Sequence, residues 1–189
     1  VLTSAKSSHR LKTVQDVVAA GKDKPGELKF ALSVVGGSVW AAAVVFQSAT
    51  KVQFKNVPQE GSGAFVITQL AGGHTDVGVS NLATALSQVE AGNINFVATF
   101  GRKRWPGKFG NVPTLAESGY DATWDSPNYF IAPKGTPAAI VEKLSKAIEA
   151  EVNAPEFQAA ALEIHATPEF RAAADLKTYL DQQQKTARE

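Results

Sequence analysis

The sequence predicts an α/β fold, a mostly parallel sheet flanked by helices, and two observations carry that expectation. Between residues 28 and 100, short β-favouring runs alternate with helical apolar spacing in the order β-α-β-α-β-α-β. Glycine, serine or asparagine marks most passages between them, the residue types that turn a chain or open and close a helix. A parallel crossover needs a connecting helix, so this alternation implies a sheet covered on both faces.

The elements follow in order. Val1, Leu2 and Thr3 make a short β-favouring start. Thr13 and Asp16 have capping-box spacing, closed by Asp rather than Glu, and predict a helix over 14–20 that Gly21 stops. Pro25–Gly26 is a turn, and 28–34 is a strand. Gly36–Gly37–Ser38 is a tight turn, with Ser38 placed to cap an apolar helix over 40–48. A strand over 52–57 ends at Pro58, and Gly61–Ser62–Gly63 leads into a helix over 64–70 that Gly72–Gly73 terminates. A strand over 75–80, a helix over 82–90 and a strand over 95–100 complete the alternation. After Arg104 the texture turns irregular, with a brief helix over 115–118. Residues 128–131, bounded by Pro127 and Pro133, read as one more strand. Thr136–Pro137 combines a cap with proline at the first helical position and opens a helix whose face is Ile140, Leu144, Ile148 and Val152. Another helix follows Pro155 with Phe157 and Leu162 as anchors. The tail over 172–186 is helical, with Leu176, Tyr179 and Leu180 on one side.

Composition narrows the function. A chain of 189 residues holds one ordinary domain, or a larger domain with an appendage. Lys and Arg total 19 against 18 Asp and Glu, so no electrostatic excess points to nucleic acid or an anionic membrane. No apolar run approaches the roughly 20 residues that span a bilayer. The absence of cysteine excludes disulfides, thiolate catalysis and cysteine–zinc sites, and suits an oxidising compartment. Methionine is absent even at position 1, so Val1 is read as a cut point rather than a start.

The chemistry concentrates at three strand-to-helix passages: Ser33 to Ser38, Gly61 to Ala64, and Ser80–Asn81. A helix start offers unpaired N–H groups backed by the helix dipole, and small side chains let an anion approach them. Ser38, Ser62, Ser80 and Asn81 add side-chain partners. In an open α/β sheet such passages share one edge, so the three can converge. Other chemistries lack their motifs. Neither a dinucleotide glycine fingerprint nor a phosphate-loop lysine is present. His9, His74 and His165 stand apart, without metal-ligand spacing, and Asp76 with Asn81 falls short of a metal site. No nucleophile elbow accompanies the serines. Arg102, Lys103, Arg104 and Lys108 read as a solvated loop, and Trp40 and Trp124 as packing residues. No cofactor and no metal are expected.

Four runs together resemble a known family: Val57–Pro58–x–x–Gly61; Leu70–x–Gly72–Gly73–His74–x–Asp76; Val112–Pro113–Thr114–x–x–Glu117–x–Gly119; and Ala132–Pro133–x–Gly135–Thr136–Pro137–x–x–Ile140–Val141. Their order and spacing are similar to the periplasmic receptors of the tripartite tricarboxylate transporter family, the Bug proteins, across nearly the whole chain. The resemblance implies a type II periplasmic-binding-protein-like fold of two α/β domains that close on a solute. It implies a receptor rather than an enzyme, located in the periplasm, which hands a small organic acid or related solute to a membrane permease.

On this reading residues 1–125 form the second ligand-binding domain. Residues 126–189 form a crossover strand and C-terminal helices packing partly on a first domain absent from this chain. A truncated chain is then expected to dimerise or swap segments. By position, Ser33, Gly36, Gly37 and Ser38 match the family's loop of small residues, Gly61, Ser62, Gly63 and Ala64 its glycine turn, and Ser80 and Asn81 its cleft-facing strand end. Two departures bear on the ligand: Gln59–Glu60 replaces a Tyr-Lys pair, and Ala41 stands where a histidine is usual. Glu60 disfavours a highly charged anion if it faces the cleft, so citrate does not follow. Two other readings fit the fold. A soluble α/β enzyme of hydrolase or transferase type needs a perturbed polar pair, and the effector domain of a transcriptional regulator needs a DNA-binding segment upstream.

Overall fold

The computed structural model describes residues 1–61, 63–164 and 166–186. The chain forms two compact units, Val1–Asp125 and Ser126–Glu189.

The first unit is built on a five-stranded sheet: β1 (Leu2–Ser4), β2 (Lys29–Leu32), β3 (Lys55–Pro58), β4 (Val77–Gly78) and β5 (Ile94–Phe96), in the order β3-β2-β4-β1-β5. β2 pairs parallel with β3 and with β4, whereas β1 pairs antiparallel with β4 on one side and β5 on the other. Four strands therefore share one direction, and the N-terminal strand is inserted against them. Four α-helices of this unit are α1 (Val14–Asp23), α2 (Ser38–Thr50), α3 (Gly63–Gly72) and α4 (Leu82–Glu90).

Strand alternation sends side chains to two cores. On one face Phe30, Val77 and Val1 pack with Val14, Val17 and Val18 of α1 and Ala42, Ala43 and Phe46 of α2. Phe54 meets Phe30 edge-on, with ring centroids 5.0 Å apart, and Phe46 completes a cluster of three rings. On the other face Leu2, Ala31 and Ile94 pack with Val66, Ile67 and Leu70 of α3 and Ala85 of α4. Burying one such Leu or Phe contributes about 1.5–3 kcal/mol, which is why a two-faced sheet of very short strands holds. A satellite cluster of Leu82, Phe109 and Val112, with Trp105 against it, anchors the irregular stretch after β5.

Local chemistry explains the helix starts, with some corrections. The Thr13–Asp16 capping box is formed: Asp16 N–H donates to Thr13 Oγ1 at 3.1 Å and Thr13 N–H to Asp16 Oδ2 at 2.8 Å. Gly21 does not stop α1 but lies buried inside it, where a Cβ would stand 2.3 Å from Val52 Cγ1. Close packing, not a left-handed turn, is the reason for this glycine. Ser38 does not cap α2; Gly37 takes the cap position and Ser38 is the first helical residue. Residues 115–118 form a turn rather than a helix, and a 3₁₀ turn at Gly107–Phe109 stands where only an irregular loop is expected. Arg104 and Thr114 hold the turn over 115–118 through Glu117, whose carboxylate accepts from Thr114 N–H at 2.8 Å and from Arg104 Nε at 2.9 Å.

The second unit contains α5 (Ala138–Val152), α6 (Pro155–Glu163) and α7 (Ala173–Thr186). Pro137 occupies the cap position of α5, and Thr136 Oγ1 instead donates to Pro133 O at 2.8 Å, closing the turn before it. The strand expected over 128–131 does not form: the segment pairs with no strand, and Phe130 and Ile131 are 80% and 87% exposed. β-Propensity reports a fit to a pleated, half-buried surface, and this unit offers no strand among the described residues to supply one. Ile140 and Leu144 of α5 are likewise exposed. Just before α7, the Arg171 guanidinium lies 4.1 Å from the centroid of the Tyr179 ring on that helix.

Candidate functional site

β2, β3 and β4 run the same way, so the loops leaving their C-terminal ends emerge on one sheet edge. These loops are residues 33–37, 59–61 and 79–81, and each leads to a helix start. Two hydrogen bonds join the first loop and its strand to the second: Val34 N–H donates to Gly61 O at 3.3 Å, and Gln59 N–H to Leu32 O at 2.8 Å. A third joins the third loop to the second, from Ser80 Oγ to Gly63 O at 3.3 Å. The structure thus brings together Ser33, Gly36, Gly37, Ser38, Gly61, Gly63, Ala64, Ser80 and Asn81. Ser62 and His165 lie outside the described residues.

The glycines are needed for shape. Gly61 has φ 129°, a conformation L side chains rarely adopt, and a Cβ there would meet the Phe65 ring at 2.6 Å. At Gly63, the first residue of α3, a Cβ would lie 2.5 Å from Ser80 Oγ, so a side chain there requires the Ser80 hydroxyl to turn away. Gly36 has φ 85° and turns the first loop into α2.

The polar groups are left available. Asn81 holds the cap position of α4 but makes no side-chain cap hydrogen bond, and Gly37 has no side chain to cap α2. The first-turn N–H groups of both helices therefore keep the partial positive charge of an uncapped start. Ser33 is 5% exposed, and its Oγ has no hydrogen-bond partner among the described residues. Such an orphan costs about 1–3 kcal/mol if nothing satisfies it. Apolar side chains stand beside these polar groups: Val34 and Val35 on the first loop and Phe65 in α3 are 56%, 76% and 52% exposed. Glu60 is exposed on the second loop.

Sequence reasoning missed two parts of this site. Val34 and Val35 continue past the strand as apolar residues on a loop, a signal that was legible. Trp124 packs against the core of the first face, as expected of a packing residue, but its Nε1–H also donates to Ser38 Oγ at 3.1 Å. No local pattern announces a bond between residues so far apart in the chain.

This architecture is that of solute-binding proteins. A TctC solute-binding protein from Polaromonas superposes with a TM-score of 0.79 at 22% identity, over 98% of this chain and 62% of its own. R. palustris Rpa4515, solved with adipate, superposes with a TM-score of 0.80 at 27% identity, over 100% of this chain and 64% of that one. Residues 1–188 match the family described as tripartite tricarboxylate transporter family receptor, and the chain belongs to that family. Protein BugT of Bordetella pertussis (strain Tohama I) is 32% identical over 140 residues, 74% of this chain and 42% of BugT. A UPF0065 protein from the gbd 5′ region of Cupriavidus necator is 32% identical over 150 residues, 78% of this chain and 44% of that protein. The chain thus spans less than half the length of these two relatives.

Proposed function

We propose that the chain is part of an extracytoplasmic receptor that reversibly binds a small organic carboxylate and delivers it to a tripartite tricarboxylate-type permease. The observation that carries this reading is the union of three helix starts on one sheet edge, tied by Val34–Gly61 and Ser80–Gly63 hydrogen bonds. Backbone N–H groups and the hydroxyls of Ser33, Ser38 and Ser80 suit a carboxylate, whose bonds to such donors are charge-assisted. Val34, Val35 and Phe65 suit a ligand with methylene groups between its polar ends. The adipate held by the R. palustris relative has that make-up.

The receptor acts in the periplasm, without turnover and without a cofactor. Residues 1–125 supply one wall of its cleft. Residues 126–189 serve a second domain, to which 128–131 adds a strand and α5 an apolar face. The exposure of Phe130, Ile131, Ile140 and Leu144 supports that arrangement. The 189-residue chain alone accordingly pairs with a second copy in solution.

Isothermal titration of the full-length gene product with adipate, malate and citrate tests the reading. The expected result is one site per chain for a dicarboxylate, with the solute recovered unchanged. No heat with any carboxylate, or chemical conversion of the solute, overturns it.

A further inference from the structure

We propose that Trp124 is a positioning residue for the solute: its indole N–H occupies one lone pair of Ser38, leaves the hydroxyl hydrogen to be given, and so biases the start of α2 toward an acceptor such as a carboxylate oxygen. The inference rests on the receptor reading above and adds the device that orients one of its groups.

Trp124 is anchored independently of Ser38. Its ring packs against the core of the first face, and its backbone N–H donates to Phe100 O at 3.3 Å. The indole nitrogen is a donor only, and it reaches Ser38 Oγ at 3.1 Å. A serine hydroxyl has one hydrogen to give and two lone pairs. With one lone pair engaged by Nε1–H, the hydrogen points elsewhere. Ser38 is exposed at the first position of α2, beside a cap position without a side chain, so that hydrogen is free to meet a group at the helix start.

Two consequences follow for a ligand. A carboxylate oxygen accepts from Ser38, and the chain N–H···O–H···O⁻ strengthens each bond by mutual polarisation. An ammonium group in the same place faces the positive end of the helix dipole and finds only one lone pair of Ser38 still open, and is disfavoured. Trp124 thereby acts on specificity without touching the solute.

The test uses the full-length gene product and adipate as probe, with 6-aminohexanoate as the analogue that exchanges one carboxylate for an ammonium. Trp124→Phe keeps an aromatic ring and removes the N–H. Replacement of Trp124 by benzothienylalanine, which keeps the bicyclic shape with sulfur in place of N–H, covers the case in which Trp124→Phe fails to fold. Either change is expected to weaken adipate about fivefold, the worth of one net hydrogen bond, and to narrow the preference for adipate over 6-aminohexanoate. In a Ser38→Ala background the same change is expected to alter affinity less than twofold, because the group it orients is gone.

A merely structural role for the ring predicts equal losses in both backgrounds, so equal losses overturn the proposal, as does unchanged affinity on removing the N–H. If the wild-type protein binds no carboxylate of the adipate, malate and citrate panel, the receptor reading falls and the inference with it. Binding that is intact and indifferent to Trp124 defeats the inference alone.

Discussion

Replacing Gly63 by alanine puts a methyl group where the second and third loops meet, and the outcome depends on one neighbouring atom. The added Cβ would stand 2.5 Å from Ser80 Oγ but 3.5 Å from Ser80 Cβ and 3.8 Å from Val39 Cγ2, the last two being ordinary contacts. Ser80 therefore has to rotate its hydroxyl, which gives up the bond to Gly63 O. Loss of one hydrogen bond costs about 0.5–1.5 kcal/mol. Against it, alanine at a position free of positive φ stabilises by about 0.4–1 kcal/mol through the unfolded chain. The net change in stability is within about 1 kcal/mol of zero. Under the proposed receptor function, binding of an adipate probe by the full-length protein is expected to weaken by about three- to tenfold, because Ser80 gives up its present orientation.

The diagnostic measurement is the same substitution made in a Ser80→Ala background, where the offending oxygen is absent. There Gly63→Ala is expected to raise stability in urea denaturation by about 0.4–1 kcal/mol, so that the effect shifts toward stabilisation between backgrounds. An identical effect of Gly63→Ala in both backgrounds would falsify the contact between the two loops.

Other consequences are testable in the same preparations. The Glu117 carboxyl is held below its usual range, first by Thr114 N–H and then by Arg104. Its contribution is present above the unfolded pKa and fades as pH falls through the folded one. Glu117→Gln is expected to remove that dependence, followed by the amide exchange of Thr114. Gly21→Ala forces a methyl against Val52 inside α1 and is expected to cost about 1–3 kcal/mol despite alanine's better helix propensity; a stabilised variant in thermal melts contradicts the packing.

What the sequence made legible is the part governed by short-range chemistry. The capping box at Thr13 and Asp16 needs only three residues of spacing, and it forms as read. The three strand-to-helix passages were legible because parallel connectivity forces them onto one edge. The errors share a different origin. Gly21 reads as a stop because glycine is common after helices, and only the approach of Val52 from another part of the chain shows its use. Ser38 reads as a cap by residue type, but its hydroxyl is taken by an indole in a distant segment. Residues 128–131 have strand propensity with no strand beside them in their unit. The direction of β1 was equally hidden, since three apolar or small residues pair in either sense until the partner strands are known.

That insertion of β1 has a consequence in time. β2, β3 and β4 find their partners among one another, but β5 pairs only with β1. During synthesis Leu2–Ser4 has to remain unpaired until Val77 and Gly78 have been made, and its other side waits until Ile94–Phe96 follows. At roughly 5–20 residues per second that is a delay of several seconds, in which the strand lacks both neighbours. The strand that joins β5 to the rest of the sheet is thus made before its partners and used late, and long-range pairing of this kind is slow to form.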